Sequence, residues 1–282
     1  MEFITLNNGT KAPKVGIGTF LMSPADAEQA VFNALRNGYR LIDTANAYMN
    51  EKAVGRGIAK SGVAREDIYL VTKLWPSVYE DADRAIDETL ARLGTDYVDL
   101  LFLHQPAGDY VGAYRAMERA VKAGKVKSLG LSNFPEEKFA EIIAACEIKP
   151  AFVQVEAHPY YPQMKLKETL SRYGTSVMAW YPLGHGDKSL VNEPLFTELG
   201  KKYGKSNAQI ILRWHTQVGN VVIPGSRNVD HIRDNIDLFD FALTEEELSE
   251  IAKLDKNTPY YTATEAALDG YLHFAPDFDA QE

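Results

Sequence analysis

Residues 41–55 read LIDTANAYMNEKAVG. The first residues are apolar and end on a carboxylate, Asp43. A phenol, Tyr48, follows five residues later, and a helical pattern begins at Asn50 or Glu51. A short apolar run that leads into a helix is the pattern of a strand buried on both faces of a parallel sheet. An acid at the tip of such a strand has to be explained, because a desolvated charge costs several kcal/mol, on the order of the penalties for buried ions, unless it is paired.

The same pattern recurs along the chain. Apolar runs rich in Val, Ile, Leu and Tyr occur at Lys14–Gly18, Tyr39–Thr44, Ile68–Lys73 and Tyr97–His104, and again at Val126–Ser132, Phe152–Ala157, Val177–Tyr181 and Val221–Ser226. Helical spacing separates them, as in Ala27, Ala30, Val31, Ala34 and Leu35, and in Ala82, Ala85, Ile86, Thr89, Leu90 and Leu93. Ser23-Pro24 with Asp26 predicts a capped helix start, and Thr244 with Glu247 predicts another. Eight strands interleaved with helices, with no Pro/Gly/Ser-rich linker, predict an α/β fold: a single (β/α)8 TIM barrel over residues 1–282. The segment from Phe3 to Lys11 reads as a hairpin around Asn8-Gly9 that plugs one end of the barrel.

Composition agrees with a globular enzyme-sized domain. The 282 residues are 45% hydrophobic and 24% charged, which suffices for a large core without disulfides. The one cysteine, Cys146, suits a reducing compartment, and the start carries no basic-then-apolar leader, so we expect a cytoplasmic protein. No apolar run reaches the roughly 18 residues a membrane span needs. A net charge of −9 argues against nucleic acid as a partner. A small-molecule substrate and a monomeric chain are expected, and no residue is assigned to a metal.

Active sites of such barrels lie at the C-terminal strand ends. The polar residues there are Asp43, Lys73, His104, Ser132-Asn133, Gln154 with Glu156, and Ser226. Each has an ordinary structural reading: an Asp–Lys ion pair, a core histidine, an Asn133 that caps the helix near Pro135. Together on one rim they are hard to read as core filling. A phenol titrates near pH 10 and is a weak acid at neutral pH. An ammonium from Lys73 is expected to lower the Tyr48 pKa, with Asp43 holding Lys73 and His104 bonding a substrate oxygen. That makes a proton donor for a carbonyl oxygen, and reduction then requires a hydride source. No Rossmann fingerprint is present: GIGTFL at Gly16 and GRGIAK at Gly55 lack its third glycine. A dinucleotide would instead find amide-recognising groups at Ser132, Asn133 and Gln154, a flat face at Trp180 and a phosphate site in IPGSRNVDHIRDN, Ile223–Asn235.

These stretches, in this order, resemble the aldo-keto reductase family over nearly the whole chain. IDTANAYMNE is similar to its Asp-Thr-Ala…Tyr-x-Asn-Glu signature, VTKLW to its lysine segment and LFLHQP to its His-x-Pro segment; GLSNF, QVEAHPY, AWYPLG and VIPGS follow. Bacterial diketogluconate reductase-like and methylglyoxal reductase-like members are the nearest in loop length. The resemblance implies a catalytic tetrad of Asp43, Tyr48, Lys73 and His104, and reduction of small aldehydes, ketoaldehydes or diketones by NAD(P)H. It implies cofactor contacts from Thr19, Ser132, Asn133, Gln154, Trp180, Leu183, Ser226, Arg227, His231 and Asn235, and substrate contacts from Phe20, Trp75 and Gln105. The chain departs from the family in three places. Gly225 and His231 stand where Lys and Arg commonly hold the 2′-phosphate of NADP(H), so NADP(H) is expected but NAD(H) is plausible. Gln105 stands where many members carry Trp, which bears on substrate. The alternatives are a redox-sensing subunit that binds cofactor with little turnover, and a barrel hydrolase or isomerase.

Overall fold

The computed structural model describes residues 1–282. A hairpin of β1 (Phe3–Thr5) and β2 (Lys11–Pro13) precedes eight parallel strands: β3 (Ile17–Gly18), β4 (Leu41–Asp43), β5 (Tyr69–Leu74), β6 (Val98–Leu103), β7 (Val126–Ser132), β8 (Phe152–Glu156), β9 (Ser176–Trp180) and β10 (Val221–Val222). Helices α1 (Pro24–Arg36), α2 (Glu51–Ser61), α3 (Ala82–Leu93), α4 (Tyr110–Lys122), α5 (Glu136–Ala145) and α6 (Met164–Ser171) link successive strands from β3 to β9. Three more, α7 (Lys188–Val191), α8 (Pro194–Tyr203) and α9 (Asn207–Gln217), lie between β9 and β10. The chain ends with α10 (Val229–Ile236), α11 (Glu245–Ala252) and α12 (Glu265–His273). The first and last strands meet: Gly16 N–H donates to the Val222 carbonyl at 2.8 Å and Val222 N–H to the Lys14 carbonyl at 2.9 Å, which closes the barrel.

Two apolar layers hold it. One lies between the sheet and the helices, where α1 turns Ala27, Ala30, Val31, Ala34 and Leu35 inward at the spacing read from the sequence. The other fills the barrel, with Leu41, Val71, Leu100, Phe102, Phe152 and Met178 among its members. Fully burying a side chain such as Phe102 contributes about 1.5–3 kcal/mol. Its ring needs the absence of a neighbour: a Cβ on Gly130 would stand 2.3 Å from it. Leu6 and Ala12 of the hairpin belong to the same inner layer. Asn7 donates to the Pro150 carbonyl and Asn8 to Ser128 Oγ, both near the N-terminal ends of strands, so the hairpin does plug the end opposite the site.

Local signals were met in most places. Ser23 caps α1 by accepting from Asp26 N–H, and Thr244 and Glu247 form a complete capping box on α11. The runs expected at Lys14–Gly18 and Val221–Ser226 shorten to β3 and β10. Pro224 has no N–H to give a ladder, so the chain leaves the sheet there. Asn133 does not cap α5. It takes φ +62°, and Pro135 occupies the N-cap position without a side-chain bond.

Candidate active site

β4 delivers Asp43 and β5 delivers Lys73 in adjacent strands, at the same end of the barrel. Both side chains are buried, and Lys73 Nζ donates to Asp43 Oδ1 at 2.6 Å and to the Thr44 carbonyl at 2.8 Å. Gln154 Nε2, from β8, donates to the other carboxylate oxygen at 2.9 Å. Burial pushes the Asp43 carboxyl up against the pull of Lys73, and pushes the Lys73 ammonium down against the pull of Asp43. Tyr48 follows β4 in a short 3-10 turn. The turn is tied to Trp75, whose N–H donates to Asn46 Oδ1 at 3.1 Å. Asn50 stands at the N-cap position of α2 but does not cap it. Its buried carboxamide accepts from Thr44 and Thr19 hydroxyls and donates to the Thr19 and Met22 carbonyls, fixing the loop that carries Phe20.

Lys73 Nζ lies 4.8 Å from the centre of the Tyr48 ring. The phenol pKa is nevertheless raised well above the ordinary tyrosine value, first by burial, then by the Asp43 and Tyr181 charges. This corrects the expectation that Lys73 lowers it: burial outweighs the nearby ammonium, which is bonded to Asp43 and Thr44. The result is a phenol held in its protonated, donating form. His104, at the end of β6, packs edge-on against Tyr48 at 5.5 Å and Trp75 at 4.9 Å. Burial and then Lys73 hold its imidazole well below the usual histidine pKa, so it is neutral, and its Nδ1 has no partner in the chain.

These groups open on one cavity of about 710 Å³, continuous to Pro224 and Gly225. Asp43, Tyr48 and His104 line it; Lys73 sits behind Asp43 and does not. Ser132, Asn133, Gln154, Trp180 and Leu183 line the same cavity, as do Phe20, Trp75 and Gln105. Trp180 Nε1 donates to Asn133 Oδ1 at 3.0 Å, which leaves the Asn133 amide donor and Gln154 Oε1 without bonds to the chain. A donor and an acceptor beside a flat indole fit the carboxamide ring of a nicotinamide. Thr19 is buried and bonded to Asp43 O and Asn50, off the cavity. Ser226, Arg227, His231 and Asn235 are also outside its lining, at the start of and along α10. Arg227 is exposed and pairs with Asp26 at 3.5 Å.

The sequence reading missed a large part of the wall. Tyr261, Tyr271 and Phe274 come from the C-terminal arm, and Tyr181 and His185, stacked at 4.0 Å, from the loop after β9. No motif marks the arm, because it reaches the mouth through contacts distant in sequence. The loop had one visible signal in its glycines, Gly184 and Gly186, both at positive φ. Leu21, Met49, Asn133, Tyr181 and His185 also take positive φ, which is uncommon for such residues and concentrates at functional sites.

Residues 8–256 match the model of the aldo/keto reductase family. The chain is similar to an aldo-keto reductase of Mycolicibacterium smegmatis, 44% identical over 257 residues, covering 89% of this chain and 93% of that one. It is also similar to a glyoxal reductase of Bacillus subtilis, 40% identical, covering 91% and 94% of the two chains. Among solved structures, an aldo/keto reductase from Brucella melitensis superposes with a TM-score of 0.86 at 40% identity, covering 90% of this chain and 99% of that one. A Bombyx mori aldo-keto reductase in complex with NADP superposes with a TM-score of 0.87 at 35% identity, covering 93% and 95%. The chain belongs to the aldo/keto reductase family and is an NAD(P)H-dependent oxidoreductase.

Proposed function

We propose that this enzyme reduces small uncharged aldehydes, ketoaldehydes or diketones to alcohols, with Tyr48 as the proton donor. One observation carries the reading: the protonated Tyr48 phenol, backed by the buried Asp43–Lys73 pair, shares a cavity with neutral His104 and the Trp180–Asn133–Gln154 group. NAD(P)H supplies the hydride when bound. Tyr48 Oη bonds to no group of the chain and is free to give its proton to a carbonyl oxygen. His104 orients that oxygen, and Lys73 steadies the phenolate that remains.

The lining contains neither Lys nor Arg, which disfavours carboxylated or phosphorylated substrates. Gln105 is 6% exposed and its carboxamide makes no hydrogen bond to the chain, so it is available to a second oxygen of a ketoaldehyde or diketone. NADP(H) is the proposed cofactor, with modest discrimination against NAD(H), because Gly225 offers no side chain and Arg227 and His231 are exposed on the expected phosphate side. The single free cysteine supports the cytoplasm as its compartment, and no helix is long and apolar enough to cross a membrane. Loss of reduced-nicotinamide absorbance on adding a panel of neutral carbonyls tests the reading. Turnover with methylglyoxal or an aryl aldehyde is expected. Cofactor binding without turnover of any carbonyl would overturn it in favour of a redox-sensing subunit.

A further inference from the structure

The C-terminal arm forms the outer wall of the cavity and is joined to the barrel at several points. One of them, beside Trp180, involves a residue that lies outside the cavity lining. Glu156 ends β8, 3% exposed. Its two carboxylate oxygens accept from the backbone N–H groups of Tyr260 at 2.6 Å and Tyr261 at 2.9 Å. A third bond joins Oε1 to Nε2 of the fully buried His158 at 2.9 Å. A carboxylate that accepts from two successive backbone amides fixes the direction of the chain that supplies them.

What those amides carry is the wall itself. Tyr261 packs edge-on against Trp180, ring centres 5.7 Å apart, and its hydroxyl bonds that of Tyr271 at 2.7 Å. Tyr271 packs against Trp75 at 5.1 Å and accepts from Trp75 Nε1 through its carbonyl at 2.9 Å. Trp75 in turn packs against His104. A run of contacts thus leads from Glu156 to both ends of the site, the indole beside Asn133 and the imidazole beside Tyr48. The arm is held at its two ends as well: the Lys256 N–H donates to the Tyr160 carbonyl at 2.9 Å, the Tyr260 hydroxyl bonds Asp187, and beyond α12 Asp279 pairs with Arg92 at 2.8 Å and Gln281 accepts from the Lys52 N–H at 3.1 Å. Glu156 is the tie that reaches the wall residues themselves.

We propose that Glu156 is a positioning residue for carbonyl reduction: by clamping the amides of Tyr260 and Tyr261 it seats the arm and so sets the fit of bulky substrates. The substrate part of this rests on the carbonyl-reductase reading; the clamp does not. Glutamine has the shape of glutamate but one acceptor oxygen in place of two, and its NH2 would face an N–H donor. A hydrogen bond to a charged group corresponds to roughly ten- to a hundredfold in an equilibrium constant.

The test uses the full chain with Glu156→Gln, read two ways. Limited chymotrypsin digestion reports the arm, which offers Tyr260, Tyr261 and Phe274 as cleavage sites. Steady-state kinetics with NADPH compares 2-naphthaldehyde with methylglyoxal. Cleavage within the arm should quicken by about tenfold or more, and KM for 2-naphthaldehyde should rise by about as much, while kcat for methylglyoxal stays within about threefold. Unchanged arm cleavage together with an unchanged 2-naphthaldehyde KM would overturn the proposal. So would an equal loss of kcat with both substrates at unchanged cleavage. If the wild type reduces neither compound, the carbonyl-reductase reading fails, and digestion alone decides the clamp. If E156Q does not fold, Glu156→Asp carries the same comparison, since it keeps the charge but withdraws the carboxylate by one methylene.

Discussion

Asp43 and Lys73 show how far one residue's role depends on its partner. The pair is buried on both sides and bonded at 2.6 Å. Lys73→Met leaves Asp43 with only Gln154 as a side-chain donor, and should cost about 3–5 kcal/mol in denaturant unfolding, the range for breaking a buried pair. Adding Asp43→Asn removes the orphaned charge, so the double variant should be more stable than the sum of the singles by about 0.5–3 kcal/mol. Strict additivity would mean that the two side chains do not act as a pair. Gln105→Leu addresses substrate. If its free carboxamide serves a second oxygen, kcat/KM for 1-phenyl-1,2-propanedione should fall about three- to tenfold relative to propiophenone, the span of a neutral hydrogen bond. An unchanged ratio would remove Gln105 from substrate recognition. Residue identities at the strand tips were legible in the sequence because each tip follows directly on its apolar run. The direction of the Tyr48 pKa shift was not. Burial sets it first, then the charges of Asp43 and of Tyr181, which the fold brings in from the end of β9.

Strands and helices were legible where local chemistry decides them. β7 has the ends read from the sequence, and α1, α3 and α11 begin where their caps or spacing place them. Asn133 and Asn50 show the limit: both carry a capping side chain, and tertiary partners claim each one, Trp180 for the first and Thr19, Thr44 and Met22 for the second. The C-terminal arm was not legible as part of the site, since α12 has no buried residue to give its sequence a periodic signal. At the tip of β9, Trp180 meets Asn133 on one side and Tyr181 and Tyr261 on others. Trp180→Ala should raise the dissociation constant of NADPH about two- to tenfold, the equivalent of 0.5–1.5 kcal/mol of aromatic stacking, and leave circular dichroism unchanged. An unaltered constant would return the indole to wall packing alone.

Two buried histidines give the whole molecule a pH dependence of defined sign. His104 is held well below the ordinary histidine pKa by burial and Lys73, and His215 is pushed down to about 3 by burial. Above pH 6.5 both folded and unfolded forms leave these rings neutral, and nothing changes. Below it the unfolded chain takes protons that the folded chain refuses, so stability falls as pH falls. His104→Gln removes one such group, and its stability loss between pH 7 and pH 5 should be smaller than the wild type's by about 2 kcal/mol. An equal loss would show that His104 takes up its proton in the folded state. On the proposed reading, the barrel, the hairpin plug and the cavity serve one end, to place a protonated phenol beside a bound carbonyl. Replacing Tyr48 with Phe removes that proton and little else, because the hydroxyl bonds to nothing in the chain. The decisive measurement is therefore kcat for NADPH-dependent reduction of an aryl aldehyde by Tyr48→Phe, alongside its NADPH dissociation constant. The expected result is a fall in kcat of about 100- to 10,000-fold with cofactor affinity essentially unchanged; a variant that turns over at the wild-type rate would contradict the assignment of Tyr48 as the acid.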